Sequence, residues 1–353
     1  MAATTIVEAT AQPLDLPLQE PFEISLGTQY EASNVLVTVT TADGTTGYGE
    51  GSPLPPVTGE TQDAALATAQ AACTNLEDRD VTDYRAIVED VRSTFPGMVS
   101  ALFAVETAVI DAYCRHHGIA IAELFGTAAT PVETDYTIPI VPPETAREQA
   151  VRITEAGFEH IKIKTGTDVA TDIERVAAIA EVAADAELKV DANQGWTPKE
   201  TERFAMALAD QGIELALIEQ PVPKTDIAGL ARTRDRIDIP IAADESVFTP
   251  ADAIRIVREE AADILNIKLG KSGLLGAGDI ISIARGADLE LMVGCMLESA
   301  IGIHASAHVV SGSDAFSYID LDGNLLLDED VVSVEGGPIH EINGPGHGIT
   351  PDR

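Results

Sequence analysis

The chain has 353 residues, 45% of them hydrophobic and 4% aromatic, with 58 acidic against 22 basic side chains and a formal net charge of −36. That apolar content supplies a buried core and argues against disorder, while the negative surface excludes phosphate backbones and anionic lipid as partners. No run of about 18 apolar residues is present to span a bilayer, and Met1-Ala2-Ala3-Thr4-Thr5 opens no basic and apolar leader, so the expected location is cytoplasmic.

The acids are scattered (Glu148, Glu155, Asp168, Asp172, Glu174) rather than gathered into a tail, and lysine is scarce. Scattered acid with little lysine suits a protein kept soluble in concentrated salt, where screening removes self-repulsion, so a halophilic protein is expected. Cys73, Cys114 and Cys295 are far apart and odd in number, which fits a reducing compartment and offers neither a disulfide framework nor a zinc site.

In chain order, strands are expected at 4–11, 34–41 and 46–50, the last two joined by Ala42-Asp43-Gly44, a hairpin signal. Helical patterns follow at 60–77 and 97–117, the second ending in His116-His117 before Gly118, where a cation opposes the helix dipole. These make an α+β unit over residues 1–125. Its segments 21–30 and 51–59 are rich in Gly, Pro, Ser and Thr and read as loops able to cover a neighbouring site.

From residue 137 the pattern changes. Short strands at 137–141, 160–164, 187–192, 213–219, 239–244, 263–268, 290–295 and 316–320 alternate with helical stretches such as 170–184, 198–211, 250–261, 276–286 and 300–310. Thr197-Pro198 and Thr249-Pro250 place proline in a first turn after a threonine cap. Eight strands alternating with helices predict a closed parallel barrel over 126–327 rather than an open sheet, although periodicity alone does not show closure. The turn-rich tail, 328–353, is expected to pack back on the first unit.

In such a barrel the strand C-termini converge on one mouth. Asp191, Glu219 and Asp244 end three successive strands. One such acid alone is commonly a helix cap, but three converging carboxylates repel one another unless a hard cation sits between them, and Mg²⁺ suits an all-oxygen site. All seven lysines of the chain lie between Lys162 and Lys271. Lys164 ends the strand before the first acid, and Lys268 ends the strand after the last, so the two approach the metal from opposite sides. An amine beside a divalent cation loses proton affinity and becomes a usable base, able to take the α-proton of a carboxylate substrate.

Lys162-Ile163-Lys164, Asp191-Ala192-Asn193, Glu219-Gln220-Pro221, Asp244-Glu245-Ser246 and Lys268 make the chain similar to the enolase superfamily, in the subgroup containing muconate lactonizing enzymes, and the similarity extends over essentially the whole length. The resemblance implies an α/β fold, a modified (β/α)7β TIM-like barrel with an N-terminal α+β capping domain, and Mg²⁺ on the three acids. It also implies Lys164 and Lys268 as the two acid/base catalysts, Lys162 as a holder of substrate carboxylate, and Asn193 and Glu245 as supporting groups near the metal. After the eighth strand, Asp320-Leu321-Asp322 resembles the dipeptide epimerases, in which two such acids bind the free ammonium group of a dipeptide; neighbouring carboxylates form a pocket for a cation. Cys295 and Met296 are expected in the pocket wall.

The resemblance further implies that epimerases acting on Ala-Glu dipeptides carry an arginine in the first cap loop. Here Ile24-Ser25-Leu26-Gly27-Thr28 offers Leu26, with Thr28 nearby, so an apolar or small C-terminal residue is expected in an L-Ala-Xaa-type substrate. The expected partners are this small molecule and a second copy of the chain in a homo-oligomer. Rival readings are o-succinylbenzoate synthesis or muconate cycloisomerisation on the same scaffold, a Schiff-base aldolase, and an acidic cation-binding scaffold. His304 and His308 are spaced i,i+4 but lack the H-E-x-x-H pattern of a metal helix, and Gly270-Lys271-Ser272-Gly273 lacks the glycine spacing of a phosphate loop.

Overall fold

The computed structural model describes residues 2–333 and 336–352. A three-stranded antiparallel sheet comes first, built from β1 (Ile6–Ile24), β2 (Gly27–Thr41) and β3 (Thr46–Gly51) in that order. The β2–β3 turn forms because Asp43 Oδ1 accepts from Thr41 Oγ1 at 2.7 Å and from the Thr45 N–H at 3.0 Å, with Gly44 at φ 88°.

Segment 21–30, expected as a loop, is instead a hairpin: Phe22 pairs with Gln29, Glu23 with Thr28 and Ile24 with Gly27. The prolines that suggested a loop are tolerated because the ladder breaks its register between Pro17 and Phe22, where a missing N–H costs no hydrogen bond.

Helices α1 (Pro55–Thr58), α2 (Gln62–Cys73), α3 (Tyr84–Thr94) and α4 (Val99–His117) follow. The long α4 lies directly on β3. A Cβ on Gly47, Gly49 or Gly51 would meet the carbonyl oxygens of Ala108, Ala104 and Ser100 at 2.2, 2.0 and 2.3 Å. Every second strand residue advances about 6.8 Å and every fourth helix residue about 6 Å, so the glycine repeat and the carbonyl repeat stay in step.

The rest of the chain is a curled parallel sheet of eight strands: β5 (Tyr136–Ile138), β6 (His160–Lys164), β7 (Glu187–Asp191), β8 (Leu217–Glu219), β9 (Ile241–Ala243), β10 (Ile264–Lys268), β11 (Glu290–Gly294) and β12 (Tyr318–Ile319), each beside its sequence neighbour. The two edge strands meet where the Asp135 N–H donates to the Ile319 carbonyl at 3.3 Å. A separate pair, β4 (Val132–Glu133) and β13 (Ile339–His340), lies outside this sheet.

Helices α5 (Pro143–Glu155), α6 (Val169–Val182), α7 (Pro198–Ala209), α8 (Ile227–Arg234), α9 (Pro250–Arg258), α10 (Leu269–Ala287) and α11 (Ala300–Ser313) make up the helical side. Thr197 and Thr249 each form a capping box, with Glu200 and Asp252. Several strands are shorter than expected, because residues 213–216 and 316–317 lead into β8 and β12 without joining them.

Carboxylates of the first unit cap helices of the barrel. Glu50 of β3 accepts from the N–H groups of Ser299 (2.9 Å) and Gly302 (3.1 Å) at the start of α11. Glu106 of α4 accepts from the Leu275 N–H at 2.7 Å, where Gly273 at φ 68° kinks α10. The tail returns to the first unit as well: the Asp328 N–H donates to Pro17 O at 2.8 Å, and the His347 N–H to Asp111 Oδ1 at 2.9 Å. Among the described residues, no helix is long and apolar enough to cross a membrane.

Candidate active site

Register decides which side chains meet. Parallel pairing sets Lys164 of β6 opposite Asp191 of β7, and Asp191 opposite Glu219 of β8. Strand alternation then sends 162 with 164, 189 with 191, and 266 with 268 to one face, and all six are buried.

Lys162 Nζ lies 2.5 Å from Asp320 Oδ2, 2.7 Å from Glu219 Oε2 and 3.4 Å from Asp191 Oδ2. Lys164 Nζ lies 2.6 Å from Asp191 Oδ2, and Lys268 Nζ 3.0 Å from Asp244 Oδ2. Asn193 donates to Glu245 Oε1 at 3.2 Å, while its N–H holds Asp191 Oδ1 at 2.8 Å.

Asp191, Glu219 and Asp244 each bring a carboxylate oxygen within 4.8 Å of the others, and all three are buried. Glu219 Oε2 receives no well-angled hydrogen bond although Lys162 is close. An anionic, all-oxygen set with a spare lone pair fits a hard divalent cation. The electrostatics agree. Burial pushes Glu219 up to about 8, the Asp191 charge adding to it, and pushes Glu245 up to about 7. Burial would also raise Asp244, but Lys268 and Lys271 outweigh it and hold that carboxyl well below its usual range. Burial alone would lower Lys268, yet Asp244 and the other acids hold its ammonium above the ordinary lysine range. Divalent charge among the three acids removes the reason for that excess proton affinity.

A second group, Asp135, Asp320 and Asp322, is equally buried and equally close. Burial would raise Asp320, but Lys162 outweighs it and holds the carboxyl near about 2; burial and the Asp320 charge push Asp322 up to about 6. The Thr137 N–H donates to Asp322 Oδ2 at 2.6 Å.

One cavity joins the two groups. Its polar lining includes Lys164, Lys268, Asp244, Asp320 and Asp322, with Asn193 and Glu245; its apolar wall includes Phe22, Ile24, Leu54, Val57, Met296 and Leu297. Lys162, Asp191 and Glu219 are buried behind this lining rather than in it. Leu26 and Thr28 also lie off the lining, Leu26 in the hairpin turn and Thr28 opposite the outward Glu23; Phe22, Ile24 and Gln29 of the same hairpin supply it.

Sequence reasoning missed three contributors. Lys271, read as part of a loop without function, is buried against both Asp244 Oδ1 and the Asp244 carbonyl, the latter at 2.7 Å. Asn266 donates to Glu219 Oε1 at 2.8 Å. Gly294 leaves room for the Lys268 side chain beside it, since a Cβ there would meet Lys268 Cε at 2.8 Å. Lysine scarcity could have flagged Lys271; Gly294 opens the segment 294–299, which resembles the muconate lactonizing subgroup, but nothing in it marks the room this glycine gives Lys268. Five of the seven lysines, 162, 164, 189, 268 and 271, are buried. His304 and His308 are buried and lowered by that burial to about 3 and about 4, so they are neutral, and neither belongs to an acid group.

The match to known proteins covers both parts of the chain. Residues 6–126 fit the mandelate racemase/muconate lactonizing enzyme N-terminal domain, and 145–353 the enolase C-terminal domain-like family. The chain belongs to the enolase superfamily.

Within that superfamily it is 36% identical over 352 residues to the L-Ala-D/L-Glu epimerase of Bacillus subtilis (strain 168), covering 98% of this chain and 96% of that one. It is 37% identical to the aromatic dipeptide epimerase of Herpetosiphon aurantiacus over 98% of this chain and 99% of that one. The solved structure of the Cytophaga hutchinsonii dipeptide epimerase, complexed with Mg and the dipeptide D-Ala-L-Val, superposes with a TM-score of 0.94 at 33% identity, covering 99% of this chain and 96% of that one. These superfamily relatives are isomerases, and this chain is an isomerase of the same kind.

Proposed function

We propose that this chain is a Mg²⁺-dependent dipeptide epimerase that inverts the α-carbon of the C-terminal residue in L-Ala-Xaa-type dipeptides by two-lysine 1,1-proton transfer. The observation that carries the reading is a single cavity lined by Lys164, Lys268, Asp320 and Asp322. Asp191, Glu219 and Asp244 would hold the ion, which when bound supplies positive charge against the substrate carboxylate. One amine, unprotonated, takes the α-proton from one face, and the C–H electron pair moves into the carboxylate to give an enolate. The opposite ammonium returns a proton to the other face, and the two lysines exchange roles in the reverse direction.

Asp320 and Asp322 fit a substrate α-ammonium, and the apolar wall of Ile24, Leu54, Val57 and Leu297 fits an apolar rather than an acidic C-terminal side chain. Lys162, held by three acids, reads as a brace for them, with Asn193 and Glu245 beside Asp191. We place the reaction in a cytoplasm of high salt, on the strength of the −36 formal charge. The assay is solvent deuterium incorporation into a panel of L-Ala-L-Xaa dipeptides with Mg²⁺ in high salt; absence of exchange across the panel rejects the reaction.

A further inference from the structure

Strand β12 is two residues long and pairs with β11 only through Tyr318–Met292 and Ile319–Val293. The ladder therefore stops just before the segment that carries Asp320 and Asp322, and a free segment would leave their carboxylates unaimed. Other groups take over. The Asp320 N–H donates to Val293 O at 3.0 Å. On the other side of the same peptide, the Ile319 carbonyl accepts from the Asp135 N–H and from Lys189 Nζ, both at 3.3 Å. The Leu321 N–H donates to Thr134 Oγ1 at 2.8 Å.

Lys189 Nζ lies 2.6 Å from Asp135 Oδ2, with both side chains all but excluded from solvent, and it is the one ion-pair partner of Asp135 among the described residues. Neither lines the substrate cavity. A buried ion pair of this kind is a poor source of stability, because desolvating two charges offsets their attraction and well-packed apolar replacements do as well. A chain with only seven lysines has nevertheless put one here.

We propose that Lys189 and Asp135 are positioning residues: the pair clamps the peptide between Ile319 and Asp320 across the seam of the barrel and so aims the Asp320 and Asp322 carboxylates at the α-ammonium of the bound dipeptide. The inference rests on the reading of those two acids as the ammonium site, and it adds the device that holds them.

The test compares the parent with the Lys189→Met/Asp135→Leu double variant, which removes the amine and the carboxyl together and leaves neither unpaired. Calorimetry with Mg²⁺ present measures binding of a free dipeptide and of its N-acetylated form. The double variant should melt at or above the parent temperature, bind the free dipeptide about ten-fold more weakly, and bind the N-acetylated form as the parent does. Thr134→Val, which removes one tie and no charge, should weaken free-dipeptide binding about three-fold and decides the matter should the double variant fail to fold. Free-dipeptide binding within two-fold of the parent in the variants that fold overturns the positioning role and leaves the reaction untouched. A parent that does not distinguish free from N-acetylated dipeptide overturns the ammonium site itself, and the positioning role with it.

Discussion

Two groups of three buried acids share one barrel mouth, and they are held by different kinds of partner. Asp191, Glu219 and Asp244 are met mainly by side chains: Lys162, Lys164, Lys268, Lys271 and the amide of Asn266. Around Asp320 and Asp322 the main chain adds to Lys162, through the Thr137 N–H, the Val293 carbonyl and the peptide at Ile319. Side-chain amines can turn aside and give up an acid to an ion, whereas main-chain donors cannot. On the proposed reaction, the first group would exchange partners during the cycle, and the second, with its added main-chain ties, would stay put as the ammonium seat.

The widest gap between the two groups should open on metal removal. EDTA should abolish deuterium exchange and added Mg²⁺ should restore it, while Mg²⁺ at 100-fold over its dissociation constant should stabilise the fold by about 2.7 kcal/mol, read as a rise in melting temperature. Exchange indifferent to EDTA would remove the distinction altogether. Next in size, Lys164→Ala and Lys268→Ala should each lower kcat by about 10²–10⁴-fold with the fold retained, and either one turning over at the parent rate refutes the opposed pair.

On the fixed seat the effects are smaller. Asp320→Asn should raise KM for free dipeptides by about 10- to 100-fold. A reaction on o-succinylbenzoate or muconate precursors, which carry no ammonium, would be barely touched by the same change. Because burial and the Asp320 charge push Asp322 up to about 6, it is neutral below that pH and anionic above it. KM for a free dipeptide should thus fall as pH rises through about 6 and then level, with no such step for an N-acetylated one. The mildest change concerns the surface: raising KCl from dilute buffer to molar concentration should raise the melting temperature, and an unchanged value would end the halophilic reading.

Much of the first acid group was legible because its chemistry is written at strand ends: Asp191, Glu219, Asp244, Lys164 and Lys268 are each a charged residue closing an apolar run, and one βα unit separates each from the next. The fold was legible for the same reason, and threonine caps before proline marked α7 and α9 outright. Helix α3 was not read from the sequence, and α5 and α8 were implied only by the alternation, because α5 is largely charged and α8 is only eight residues long. The hairpin of β1 and β2 was hidden by Pro21 and the Ser, Gly and Thr that follow it, since only the paired strand reveals that the ladder is already broken between Pro17 and Phe22. Leu26 and Thr28 were expected at the pocket, but the hairpin, invisible until the register is known, puts Leu26 in its turn, pairs Thr28 with the outward Glu23, and presents Phe22 and Ile24. Asp135 and Lys189 are 54 residues apart and meet only once the barrel curls, so no local pattern announces them.

The burial of most of the lysines has a practical consequence for anyone handling the protein. Lys199 is exposed and Lys224 half-buried, so bulky amine-reactive dyes, crosslinkers and coupling resins meet these two first, while Lys164 and Lys268 are reached only through the cavity they line. Labelling or immobilisation through these two should spare Lys164 and Lys268, so a tethered sample keeps its chemistry intact where most enzymes would lose theirs to the same reagent.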